Sequence, residues 1–197
     1  MGTTNFTELR DEVVLDLPGA SLPLIDHHAV RVIQRFCKLT YSWTFDQDAI
    51  SIVDGQSDYE LDSHPSYSDV ERVLVVVMDG VTLNPGIDYT IANRCHDIHI
   101  VAEPTKDILE GLEVQVALRP KLTATYICDR YYDDWFEVWV HGLLARMMAM
   151  PAKTWTNPQL SVMHNAMFWD GVRDSKIEQQ KGGTVRLLTA RPKYKFA

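Results

Sequence analysis

Residues 70–83 read Val-Glu-Arg-Val-Leu-Val-Val-Val-Met-Asp-Gly-Val-Thr-Leu. Val70–Met78 is rich in β-branched valine, whose stiff side chain suits a pleated strand better than a helix. Asp79-Gly80 supplies the two central residues of a tight hairpin turn, and Val81-Thr82-Leu83 returns from it. The middle of this chain is therefore β structure, and the remaining elements are read outward from that hairpin.

Downstream, Asn84-Pro85-Gly86 turns the chain and Tyr89-Thr90-Ile91 reads as a short strand. Asp97–Val101 and Leu112–Leu118 both alternate polar and apolar residues, the pattern of a strand with one buried face, and Pro120 ends the second. Upstream, Ala49–Val53 reads as a strand, Asp54-Gly55 as a turn and Asp58–Leu61 as the return strand. The middle third is an antiparallel module of five or six strands.

Helical periodicity flanks it. Ile25, His28, Val32, Phe36, Leu39 and Trp43 recur at three- and four-residue steps, with Ser21 and Pro23 suited to the helix start. Tyr132, Trp135, Phe136, Trp139, Leu143 and Met147 form one stripe over Asp129–Met150, which Pro151 stops. Asn157-Pro158 restarts a helix, Asn as N-cap and Pro in the first turn. That helix runs to about Gln180, with Leu160, Met163, Met167 and Phe168 expected inward. The fold class expected is α+β: a helical bundle of one N-terminal and two C-terminal long helices, with an inserted antiparallel β module and an extended C-terminal tail. Residues 1–180 form a single domain: an extended or loosely docked arm (1–20), a helix (21–45), the β module (46–120) and two helices (129–180). Residues 181–197 form an extended basic docking tail.

The 197 residues carry 19 Lys and Arg against 27 Asp and Glu, a net charge of −8. The asymmetry says more than the sum. Lys181, Arg186, Arg191, Lys193 and Lys195 lie in the last 17 residues with no acid among them, so the tail carries +5 and residues 1–180 carry −13. An acidic body with a basic end marks an interaction arm. It argues against a DNA-coating surface, which shows a basic face. No apolar run approaches the ~20 residues of a membrane span. The N-terminus lacks the pattern of a secretory signal. Three cysteines, Cys37, Cys95 and Cys128, argue against a disulfide framework.

Few residues point to chemistry. Cys95, His96 and His99 resemble half a zinc site, but a structural site wants two ligand pairs, and residues 96 and 99 face opposite sides of a strand. Asp129, Asp133 and Asp134 suit acid–base work, yet a helix start already explains carboxylates there. His27 and His28 are neighbours on a helix and do not face each other. His141 and His164, on the two late helices, suit an interhelical hydrogen bond. There is no glycine-rich phosphate loop and no nucleophile elbow. No catalytic residue, cofactor or metal site is assigned. The tail is the stronger signal. Gly182-Gly183 is a joint, and Thr184–Leu188 suits strand addition or burial on a neighbour. Its apolar and aromatic residues interleave with its charges, which favours a protein surface. The expected docking residues are Arg186, Leu187, Leu188, Arg191, Lys193, Tyr194, Lys195 and Phe196. Two rival readings are a small metal-dependent hydrolase and a nucleic-acid-binding module acting through the tail.

Several segments together resemble the head-to-tail adaptor proteins of tailed bacteriophages, also called connector, neck or head-completion proteins. Trp135, His141–Met148, Pro151–Pro158, Phe168 and Gly171 resemble the C-terminal half of that family. Upstream, Phe36-Cys37, Ser42-Trp43, Gly55–Leu61, Arg72-Val73-Leu74 with Asp79-Gly80, and Val116–Pro120 follow the same order. The likeness covers about residues 20–175. It implies a structural, non-enzymatic virion protein at the portal vertex, assembled in the host cytoplasm as a homo-oligomeric ring of typically twelve copies. The implied partners are the portal protein, a tail or nozzle protein, and neighbouring copies of itself. DNA passes through the lumen during ejection without specific binding, and no membrane is involved. The implied fold is the helical bundle with inserted β module, its C-terminal segment docked on the portal.

Overall fold

The computed structural model describes residues 2–180. In chain order the elements are β1 (Thr3–Asn5), α1 (Thr7–Val13), α2 (Leu22–Thr40), β2 (Thr44–Asp46), β3 (Ile50–Ile52), β4 (Asp58–Glu60), β5 (Ser68–Met78), β6 (Val81–Thr82), β7 (Tyr89–Ala92), β8 (Asp97–Ile100), β9 (Ile108–Pro120), β10 (Tyr126–Cys128), α3 (Asp129–Met148) and α4 (Pro158–Gln180). The hairpin that anchors the sequence reading is present. Asp79 and Gly80 both have positive φ, 50° and 76°, as a two-residue primed turn needs. Val77 and Met78 pair with Thr82 and Val81 across it.

The expected helical bundle with an inserted β module is corrected. Among the described residues there are four α-helices and ten strands in three sheets, one curled into a half-barrel. The largest sheet has the order β2-β9-β5-β6, with β3 also on β9. β4-β8-β7 form a second sheet and β1-β10 a third. The reason is the reach of β9. Its 13 residues pair with β5 along one edge and with β2 and β3 along the other. Register shifts between Val70 and Arg72 and between Val73 and Val75 bend the β5 partner. Sheet and helices share one apolar core that runs from Phe6 to Val172, so the β structure is not an insertion beside a bundle.

The expected Asp54-Gly55 hairpin is also corrected: its two arms enter different sheets, β3 on β9 and β4 on β8. The loop between them is held by residues 104–107 instead. Gly55 N–H donates to Pro104 O at 2.9 Å and Asp54 N–H to Asp107 Oδ1 at 2.8 Å. The N-terminal 20 residues are not a loose arm. β1 pairs with β10, and Phe6, Leu9, Val13 and Leu17 are buried. Their three- and four-residue spacing is that of a helix with one apolar face.

α2 and α3 bury the faces their sequences mark. Phe36 packs at 6.1 Å from Trp139 and 6.3 Å from Phe168, centroid to centroid. Burial of aromatic side chains of this size contributes ~3–5 kcal/mol each against truncation to Ala. The three helices meet where Gly142 has no side chain. A Cβ there would sit 2.6 Å from Phe168 Cδ2 and 2.7 Å from Val32 Cγ1. Asn157 caps α4 as expected, accepting the Leu160 N–H at 3.1 Å.

α4 departs from the reading in one respect. Phe168 points inward, but Leu160, Met163 and Met167 are 38%, 43% and 42% exposed. The buried residues are Ser161, Phe168, Val172 and Ser175. At ~100° per residue these four span an arc of ~60°, whereas Leu160, Met163 and Met167 span ~60° on the opposite side, with Asp170 and Asp174 on the same side further along. Of the four residues expected inward, Phe168 is, and Leu160, Met163 and Met167 face away from the core.

Candidate functional site

The end of α2 begins the site. Tyr41 adopts the left-handed conformation, φ 53°, and turns the chain so that Ser42 and Trp43 enter β2. Trp43 stacks between Tyr67 of the loop before β5 and Tyr131 of α3, at 6.1 Å and 5.8 Å with interplanar angles of 22° and 23°. Beneath this stack lies a hydroxyl network. Tyr131 Oη is 2.6 Å from Ser42 Oγ, which is 2.7 Å from Thr40 Oγ1, which donates to Phe36 O at 2.9 Å. Cys37 Sγ lies 3.7 Å from Tyr131 Oη. Burial raises the Tyr131 hydroxyl well above its ordinary value and pushes the Cys37 thiol up to about 12. Both stay protonated at neutral pH. The network therefore braces the α2–β2 junction and offers no nucleophile.

Above the stack opens a cleft of about 510 Å³, within the size range of a site for a ligand or peptide side chains. Trp43, Phe45, Tyr67 and Leu74 form its sheet wall, and Arg130, Asp134 and Trp135 its helix wall. Ser175, Glu178 and Gln179, near the end of α4, close one side. Gln179 Nε2 donates to Tyr41 O at 2.7 Å and so fixes the last turn of α4 over the start of β2. Ser175 is 1% exposed, and its hydroxyl has no partner among the described residues. The cleft is aromatic on one wall and charged on the other, which suits an extended segment carrying both apolar and polar side chains. The outward apolar patch of α4 is a second surface without a partner among the described residues.

The sequence-nominated chemistry does not converge. Cys95 Sγ is 3.8 Å from Glu71 O, the His96 ring stands 6.0 Å from that of His64, and His99 Nδ1 is 2.8 Å from Asp58 Oδ1. Among the described residues no group of three or more His, Cys, Asp or Glu is placed to hold a metal. Asp129 accepts from Thr4 Oγ1 at 2.7 Å and so holds the N-terminal strand. Asp133 is exposed, and Asp134 joins the cleft rim. His28 Nδ1 accepts from Arg146 Nε at 2.8 Å, and the His27 ring lies 5.4 Å away. His141 and His164 meet across α3 and α4, Nδ1 to Nδ1 at 3.1 Å, the interhelical contact expected of them. The docking residues Arg186, Leu187, Leu188, Arg191, Lys193, Tyr194, Lys195 and Phe196 lie outside the described residues.

Sequence reasoning missed the cleft. Its walls come from residues 42–45, 65–74, 115, 128–135 and 175–179, and no local pattern links them. No protein-family model matches this chain, and no curated protein matches it.

Proposed function

We propose that the chain is a structural, non-enzymatic subunit of a homo-oligomeric ring: a bacteriophage head-to-tail adaptor that joins the portal to a tail or nozzle protein at the virion neck. The observation that carries the reading is the outward apolar patch of Leu160, Met163 and Met167 on the first half of α4. Single exposed apolar residues are ordinary, but three clustered on one face over two turns of a helix mark an interface. A repeated head-to-tail contact closes into a ring when its rotation divides the circle. The family resemblance supplies the rest: about twelve copies, assembly in the host cytoplasm, and DNA passing through the lumen. The −13 charge of residues 1–180 suits a channel that must not hold a polyanion. The divergent neighbours of Cys95, His96 and His99 weigh against the metal-dependent hydrolase.

Removal of residues 184–197 tests the portal contact. The shortened chain is expected to form its ring and to lose portal binding. Undiminished binding sinks the assignment of the tail as the docking element.

A further inference from the structure

The cleft and the last described turn of α4 lie together. α4 is described to Gln180, and Gln179 is hydrogen-bonded to Tyr41 two residues before the Trp43 wall. Three residues, Lys181-Gly182-Gly183, follow and can span roughly 10 Å. The next five are Thr184-Val185-Arg186-Leu187-Leu188.

The cleft also borders an open sheet edge. β2 has β9 on one side and, among the described residues, no strand on the other. Leu118 N–H donates to Trp43 O, and Gln47 N–H donates to Val114 O. In an antiparallel ladder this puts residues 43, 45 and 47 on the β9 side, so Thr44 and Asp46 turn their backbone groups outward. Thr44 N–H is taken by Ser42 O at 3.0 Å. Among the described residues, Thr44 C=O and both backbone groups of Asp46 have no hydrogen-bond partner and remain for an added strand.

Charge selects the same occupant. From Leu39 to Glu71 the chain has no Lys or Arg and carries Asp46, Asp48, Asp54, Asp58, Glu60, Asp62, Asp69 and Glu71. The first six are exposed. Asp48 and Asp62 are brought together, since Asp48 N–H donates to Ser63 Oγ at 2.9 Å. The last 17 residues have five basic side chains and no acid. The largest acid-only segment thus flanks the cleft to which the acid-free tail is attached.

We propose that residues 184–188 dock in cis as a strand along the outer edge of β2, over this cleft. Strand periodicity puts Val185 and Leu187 on one face, above Phe45 and Trp43, and Arg186 on the other, beside Asp46. Arg191, Lys193 and Lys195 then follow the acidic rim at Asp48 and Asp62. The inference concerns the isolated chain and stands apart from the adaptor reading.

Hydrogen exchange of the Asp46 backbone amide reads it directly. In the full chain that amide is expected to exchange about tenfold more slowly than in the full-length variant Val185→Asp/Leu187→Asp, and to be insensitive to dilution; a tenfold ratio corresponds to ~1.4 kcal/mol of docking. Asp46→Lys/Asp48→Lys, on the exposed rim, is expected to release residues 184–188 to fast exchange. Equal Asp46 exchange in wild type and V185D/L187D overturns the proposal. So does protection that disappears on dilution, because it places the segment on a second copy.

Discussion

Met163→Asp/Met167→Asp places two charges on the outward apolar patch of α4 and replaces no buried residue. The two methionines are 43% and 42% exposed, so an interface can still cover about two-fifths of each. Full burial of such a side chain contributes ~1.5–3 kcal/mol. Covering the remaining fraction contributes ~0.6–1.2 kcal/mol per residue, or ~1.2–2.4 kcal/mol for the pair at one contact. The loss weakens that contact roughly 7- to 50-fold, before the cost of burying two carboxylates is added. Each subunit of a ring makes the contact with two neighbours, so closure falls more steeply than either contact alone. Sedimentation velocity over a range of concentrations measures it. Wild type is expected to assemble, the double variant to sediment as monomer at concentrations where wild type does not, and the control Asn165→Asp to behave as wild type. Unchanged assembly in the double variant refutes the reasoning, as does a wild-type chain that stays monomeric at high concentration.

Two further outcomes follow from the packing. Gly142→Ala gains ~1 kcal/mol of helix propensity, but its Cβ meets Phe168 and Val32, buried residues of two different helices. No single shift relieves both, so the upper part of the ~1–3 kcal/mol overpacking range applies and thermal melting is expected to show a net loss of ~1–2 kcal/mol; a variant as stable as wild type contradicts the close helix seam. The second concerns acid. Burial, and then the Arg146 charge, lowers the His28 pKa; burial, and then His141, lowers that of His164. Their contribution to stability is therefore complete above the ordinary value of 6.5 and is lost as pH falls through the lowered folded values. Melting temperature is expected to drop between pH ~7 and ~5.5, and to drop less in His28→Gln/His164→Gln; equal slopes count against these two histidines as the source.

The legible parts of the fold were those with short-range causes. The Asp79-Gly80 turn, the Asn157 cap and the buried face of α2 each depend on residues within a few positions. The sheet assignment was not legible, because β9 chooses β2, β3 and β5 as partners over separations of up to about seventy residues, and alternation marks a strand without naming its neighbour. Residues 50–61 illustrate the failure: the turn signal at Asp54-Gly55 is genuine, but the loop's hydrogen bonds go to Pro104 and Asp107. The N-terminal segment carried a readable helical spacing in Phe6, Leu9, Val13 and Leu17, obscured by the polar residues between them. On α4 Phe168 lies inward as expected, but Leu160, Met163 and Met167 lie on the other side, since spacing alone cannot distinguish a core face from an exposed one. The cleft was invisible for a similar reason: Trp43, Tyr67 and Tyr131 are far apart in the chain and meet only through the sheet.

Electron-microscope images of the purified chain mixed with its portal protein test the ring most directly. A closed ring coaxial with the portal is expected, with an open lumen and α4 at the contacts between subunits. Isolated monomers on the portal surface, or open filaments in place of closed rings, would contradict it.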